Sequence, residues 1–159
     1  MRLIAFSDTH GRSSAVRKLF LQTVKTTELY LFAGDGRSDV ESVIKDFPEA
    51  KVIFAKGNCD YGSASPEIAS CDALGYKVLL THGHLQCVGY GISELERLAY
   101  LNKASLVVYG HTHCRSCEYK NGVYYVNPGS LALPRDGMPP SYAAIDVIPA
   151  GILVTIAEL

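Results

Sequence analysis

Five short apolar runs in this chain each stop on the same kind of residue. Leu3–Phe6 leads into Ser7-Asp8-Thr9-His10, and Leu29–Ala33 into Gly34-Asp35. Val52–Lys56 leads into Gly57-Asn58-Cys59-Asp60, Val78–Thr81 into His82-Gly83-His84, and Leu106–Tyr109 into Gly110-His111-Thr112-His113. Brief apolar runs bounded by glycine read as buried strands. In an open α/β sheet the carboxyl ends of the strands form the edge where ligands bind. Taken singly, an Asp after a strand is most often a helix N-cap and a lone His a satisfied or surface residue. Five such ends, holding all five histidines in three of them, constrain the fold to bring metal-ligand side chains to one edge.

The segments between the runs carry helical spacing. Ser13–Thr26 places Val16, Leu19, Phe20, Thr23 and Val24 on one face, with Ser13 or Ser14 as the expected N-cap. A second helix is expected from Ser38 to Phe47, ahead of Pro48, and a third over Ser93–Asn102. Glu67–Asp72 and Tyr76–Leu80 flank Ala73-Leu74-Gly75 as a strand pair. Cys114–Tyr119 and Val123–Asn127 form a hairpin across Lys120-Asn121-Gly122, and Tyr142–Ile148 pairs with Ile152–Ile156 across Pro149-Ala150-Gly151. The expected architecture is α/β: one domain over residues 1–159, built as a sandwich of two sheets with a helix layer outside each.

Composition narrows the function classes. The 159 residues match one domain of roughly 100–200 residues, large enough to fold without staples. Fifteen basic and sixteen acidic residues leave a net charge of -1, without the basic excess of a dedicated duplex-binding protein. No apolar stretch approaches the ~20 residues of a membrane-spanning helix. Ser7, Asp8 and His10 interrupt the N-terminus too early for a signal sequence, so a cytoplasmic location is expected. The five cysteines, odd in number and irregularly spaced, read as free thiols. Cys114-Arg115-Ser116-Cys117 has redox spacing but opens a strand rather than a helix, and no second pair completes a zinc ribbon.

The chemistry implied is coordination of two divalent cations. Asp8 and His10, like His111 and His113, are two residues apart and can turn to one side of an extended segment. Imidazole suits zinc, iron, cobalt or nickel, whereas carboxylate and amide oxygens favour manganese or magnesium. The mixture points to a borderline first-row ion, Mn²⁺ foremost, with Ni²⁺, Co²⁺, Fe²⁺ and Zn²⁺ as alternatives. Two metals sharing these donors need a bridging carboxylate, and Asp35, alone in its cluster, is the natural bridge. Metals about 3.5–4 Å apart hold a hydroxide between them and stabilise in-line displacement at phosphorus.

These residues resemble the five motifs of calcineurin-like metallophosphoesterases, in order and over nearly the whole chain. The short length, Cys59 in the third motif and Asn127-Pro128-Gly129-Ser130 resemble the small prokaryotic phosphodiesterase branch, which is related to the metal-poor retromer scaffold subunit. The resemblance implies a four-layer α/β/β/α sandwich. It also implies Asp8, His10 and His113 on one metal, Asn58, His82 and His111 on the other, and Asp35 between them. Asn58 would also touch a phosphate oxygen, a bridging hydroxide would attack phosphorus, and Asp60 would orient a ligand or its loop. Many larger members carry His where this chain has Cys59, and a neutral thiol is a poor substitute for an imidazolium acid. That departure favours a phosphodiesterase over a monoesterase, with Cys59 adjacent to the substrate. His84 either faces the substrate, as a catalytic residue beside Asn58, or caps its loop. Arg12 and Arg37 follow the first two motifs and either pair with a phosphate or stand solvated, the commoner state for loop arginines.

The leading expectation is therefore a metal-dependent phosphodiesterase acting on a small phosphodiester. The alternative is a non-catalytic interaction scaffold on the same fold; a nuclease subunit draws little support from the charge. Val123–Val126 and Ile145–Ile156 are either core faces or part of a homo-oligomer surface.

Overall fold

The computed structural model describes residues 1–159. Its elements run β1 (Arg2–Phe6), α1 (Ser13–Thr23), β2 (Leu29–Phe32), α2 (Arg37–Ile44), β3 (Val52–Phe54), β4 (Ile68–Ala73) and β5 (Tyr76–Thr81). A 3₁₀ turn at Val88–Tyr90 precedes α3 (Ser93–Asn102), β6 (Leu106–Val108), β7 (Arg115–Lys120), β8 (Val123–Pro128), β9 (Ser141–Ile148) and β10 (Gly151–Glu158). They form two mixed five-stranded sheets in the orders β10-β9-β1-β2-β3 and β4-β5-β6-β8-β7.

The runs in β1, β2, β5 and β6 are buried on both faces, and that in edge strand β3 is half-buried, which is why they read as continuous rather than alternating. Leu3 and Ala5 of β1 face the opposite sheet, whereas Ile4 and Phe6 face the helices. In β6, Leu106 and Val108 face inward, whereas Val107 packs under α3. Three apolar layers result: one between the sheets, one between the first sheet and α1 and α2, and one between the second sheet and α3. The α/β/β/α order follows. In the first helix layer Phe20 stacks on Tyr30 at 4.2 Å between ring centroids, and Phe6 meets both rings edge-on. Each such buried ring contributes roughly 1.5–3 kcal/mol of transfer free energy. Val126, Ile145 and Val147 are core, and Tyr124, Ile152, Val154 and Ile156 pack against it. No helix is long and apolar enough to cross a membrane.

The parallel strands position the site. β1, β2 and β3 run in register with one another in the first sheet, as do β5, β6 and β8 in the second. Six carboxyl ends therefore meet at one edge, one more than the motifs indicate. The sixth is that of β8, which pairs with β7 across the expected Asn121-Gly122 turn and also lies parallel to β6.

Local boundaries depart from expectation. No serine caps α1: Arg12 occupies the cap position without a side-chain bond, because the chain enters the helix straight from a turn in which Arg12 N–H donates to the Thr9 carbonyl. The helix ends at Thr23, where the Thr26 and Thr27 hydroxyls take the Thr23 carbonyl. α2 starts at Arg37 and ends at Ile44, which leaves Phe47 free to pack on Phe20.

Candidate metal centre

The strand ends turn sharply where they reach the edge. Asp8, His10, Asp35, His111 and His113 all adopt positive φ, between 41° and 71°. Left-handed backbone costs an L-residue roughly 1–2 kcal/mol, and it persists where neighbouring bonds over-determine it. Here Asp8 N–H donates to the Gly34 carbonyl, and the Thr9 and His10 N–H groups donate to that of Asp35, locking the first two turns together. The turns are also packed too closely for a side chain at Gly34, Gly36, Gly57 and Gly110. A Cβ on Gly57 would lie 2.1 Å from Asp35 Oδ1, and one on Gly110 would lie 2.0 Å from Ser7 Oγ.

Two groups of donor atoms converge there. In the first, His113 Nε2 lies 3.2 Å from Asp8 Oδ1 and 3.1 Å from His10 Nε2. In the second, His82 Nε2 lies 3.5 Å from Asp35 Oδ2 and 3.0 Å from Asn58 Oδ1, with the His111 ring 5.1 Å from that of His82. Asp35 stands between the groups, its Oδ2 also 3.7 Å from His10 Nε2. All seven expected ligand residues thus come to one place.

These donors suit a cation. His82 and His113 each set Nδ1 2.7 Å from a backbone carbonyl, of Ala33 and Leu133 respectively. The proton belongs on that nitrogen, so Nε2 carries a lone pair aimed inward. Asp8 Oδ1 is buried and accepts no hydrogen bond of good geometry. A buried carboxylate oxygen without a donor, facing imidazole lone pairs, is costly unless a positive charge lies between them. The two Asp/His groups could hold metal ions.

Charge coupling follows from the same contacts. When no cation is bound, a proton on the facing imidazole nitrogen takes its place: burial opposes ionisation of Asp8, but the hydrogen bonds from His10 and His113 outweigh it and hold the carboxyl well below its usual range. Burial likewise raises Asp35, and the stronger pull of His82 with the Cys59 N–H brings it down to about 2. His10 is raised mainly by its contact with Asp8. Burial lowers His82, yet Asp35 and Asp8 raise it on balance. His84 and His111 are lowered, first by burial and then by His82. Burial, then Asp35, pushes the Cys59 thiol up to about 11, so it stays protonated at neutral pH.

Behind the donors, Asp60 performs the orienting role expected of it. Its two oxygens accept from the N–H groups of Asp35, Gly36, Arg37 and Gly57, each at 2.9 Å, tying the Asp35 turn to the Gly57 turn. Two further supports were not anticipated. Asp39 Oδ2 accepts from Thr9 Oγ1 at 2.6 Å and Gly11 N–H at 2.8 Å, flanking His10 on both sides. Ser130 donates from Oγ to the Asp8 carbonyl and accepts from Leu133 N–H, so the end of β8 links Asp8 to the carbonyl that orients His113. Only the Asn127–Ser130 motif hinted at this.

The remaining candidates divide. Cys59 Sγ lies within 4.8 Å of donor atoms of both His10 and Asp35, beside the first group. His84 packs its ring 5.3 Å from that of His82 and sets Nε2 3.8 Å from Glu67. Arg37 is tied to Glu41, Ser63 and Ser65 rather than standing solvated. Arg12 is exposed. All five cysteines are free.

Residues 1–148 match the family model of the calcineurin-like phosphoesterase superfamily domain. The chain belongs to that superfamily. Phosphodiesterase YfcE of Escherichia coli K12 is 36% identical over 104 residues, which cover 60% of this chain and 53% of YfcE. A Streptococcus pneumoniae TIGR4 protein of 24% identity superposes with a TM-score of 0.80 over 98% of this chain and 97% of its own. A single mutant of Vps29 from Entamoeba histolytica, 21% identical, does so at 0.76 over 100% and 99%. The last two likenesses concern the fold alone.

Proposed function

We propose that this protein hydrolyses a small phosphodiester at a centre of two divalent cations, Mn²⁺ foremost. The observation that carries the reading is the buried, unpartnered Asp8 Oδ1 set against inward-facing imidazole nitrogens, with Asp35 Oδ2 spanning the two donor groups. Asp8, His10 and His113 would hold one cation and Asn58, His82 and His111 the other, with Asp35 shared. Two cations bound in this way activate a water at neutral pH and neutralise charge at phosphorus. Asp60, through the Asp35 and Gly57 turns, keeps the shared carboxylate and Asn58 in place. The Asn58 amide, which donates to Cys59 Sγ at 3.3 Å, is placed to turn that donor to a phosphate oxygen instead. His84, kept neutral by burial and by His82, offers an uncharged imidazole at the edge of the second group.

Ester class follows from Cys59. A thiol with its pKa pushed up to about 11 gives up a proton too reluctantly to act as a strong acid toward a leaving group. Leaving groups that depart as anions are therefore preferred, and a singly charged diester suits the site better than a dianionic monoester. YfcE, a named phosphodiesterase, supports the same class.

The test uses metal-stripped protein resupplied with Mn²⁺, Ni²⁺, Co²⁺, Zn²⁺ or Mg²⁺ and offered bis(p-nitrophenyl) phosphate or p-nitrophenyl phosphate. Metal-dependent diester turnover is expected, with kcat/KM at least about a hundredfold above the monoester, the low side of what a missing general acid costs. Asp35→Asn should abolish it. Absence of both turnover and metal binding would instead favour a non-catalytic interaction scaffold on the same fold.

A further inference from the structure

A cavity of about 520 Å³ opens directly beside the donor groups, between the start of α2 and the loop from Cys59 to Ala64. Cys59 belongs to both places: it lines the cavity, and its sulfur lies within 4.8 Å of Asp35 and His10 donor atoms. The volume falls in the range of small-molecule sites and exceeds what a phosphate needs.

The walls define what can enter. Arg37 is the one cation among them, and its charge is paired with that of Glu41. Nε meets Glu41 Oε1 at 2.7 Å, Nη1 meets Ser63 and Ser65, and the guanidinium lies 5.2 Å over the Phe54 ring. The Asp60 carboxylate is saturated by backbone N–H groups. With Arg37 and Glu41 neutralising each other and the Asp35 carboxylate next door, a second anionic group entering here meets no unpaired cation. What remains available is neutral chemistry. Tyr61 is 90% exposed and presents a ring face, and Ser38 and Ser63 contribute hydroxyls.

We propose that this cavity is the subsite for the organic half of the diester and that it takes an uncharged, hydroxyl-bearing group with a flat face. A nucleoside is the model, and a group bearing a second phosphate is disfavoured. This rests on the diesterase reading for its place in the reaction. Tyr61 stacks on the flat face, Glu41 and the serine hydroxyls receive the sugar hydroxyls, and Arg37 is a positioning residue that pins the Cys59–Ala64 loop against α2. The specificity built here is one of charge and shape, set by side chains outside the metal centre.

The Mn²⁺-loaded protein would be assayed on three p-nitrophenyl diesters: methyl, thymidine 5′, and thymidine 5′ carrying a 3′-phosphate. The thymidine ester should exceed each of the others in kcat/KM by about tenfold, within the range of base stacking on an aromatic side chain. Tyr61→Ala should draw the thymidine-to-methyl ratio toward one, chiefly through KM, and Glu41→Gln should relieve the discrimination against the 3′-phosphate. Binding is read separately in metal-free protein, where thymidine should shift the NMR amide signals of Ser38 and the Cys59–Ala64 loop, an effect lost in Tyr61→Ala. Such shifts without turnover of any diester would remove the diesterase reading and keep a nucleoside site. Turnover with no thymidine preference and no shifts would remove the subsite and keep the diesterase.

Discussion

Asp39 stands in the first turn of α2 and is not among the candidate donors, yet one of its oxygens holds the residues on either side of His10. His10 sits at a φ of 41°, a conformation that relaxes if its flanks are released. Asp39→Ala should therefore weaken Mn²⁺ binding by roughly 10–100-fold, the usual cost of losing a residue that orients a ligand. Asp39→Asn, which keeps an acceptor oxygen, should recover most of it, and titration calorimetry reads both. Unchanged affinity in the alanine variant would reduce Asp39 to a purely structural role. This residue was invisible in the sequence, where it looks like any acid near a helix start. His10 was visible because a histidine two residues after an aspartate at a strand end has a recognisable spacing. The residue that supports it is 29 positions away in the chain and is brought there only by the packing of α2 beside β1.

Helix coverage is unequal between the two sheets. α1 and α2 share the outer face of the first, but α3 alone supplies the helical cover of the second, with Leu95 and Ala99 buried against Leu79, Val107 and Tyr125. Leu95→Ala should cost about 2–5 kcal/mol, because no second helix can close over the void. Leu101→Ala, on the same helix but 63% exposed, should stay within about 0.5 kcal/mol of the parent. Urea unfolding of chelator-treated protein separates the two. A small effect at Leu95 would mean that α3 shifts to refill the space. At this scale the sequence was informative about element type, since runs buried on both faces and helical spacing leave distinct patterns. It was less informative about ends. α1 and α2 both stop three residues early, because side-chain hydroxyls and the packing of Phe47 settle those ends.

For the molecule as a whole, the buried carboxylates tie stability to pH. Asp8 and Asp35 have depressed folded-state pKa values, so their contribution is present above the unfolded value of about 3.9. In chelator-treated protein it is lost as pH falls, for Asp35 through about 2. The raised His10 and His82 act oppositely: their contribution is present below about 6.5 and is lost as pH rises through their folded values. His84 and His111, held neutral by burial, offset that alkaline loss. Bound metal must displace the imidazole protons, so its stabilisation grows with pH. The Tm gap between Mn²⁺-loaded and chelated protein should widen from about pH 5.5 to 7.5, and the acid limb of the chelated protein should shrink in Asp35→Asn. A gap independent of pH would argue against histidine ligation.

The sequence by itself determined the two-sheet α/β architecture and the seven candidate ligands, because both are written locally, in apolar runs and in the residues that end them. It could not show that β8 lies parallel to β6 and sends Ser130 to the Asp8 carbonyl, nor that Arg37 meets Ser63 and Ser65 beside a cavity next to Asp35. Those contacts join segments distant in the chain, and only the way the layers close decides which of them meet. The donors are a property of the motifs; their support, their charge coupling and the space beside them belong to the tertiary structure.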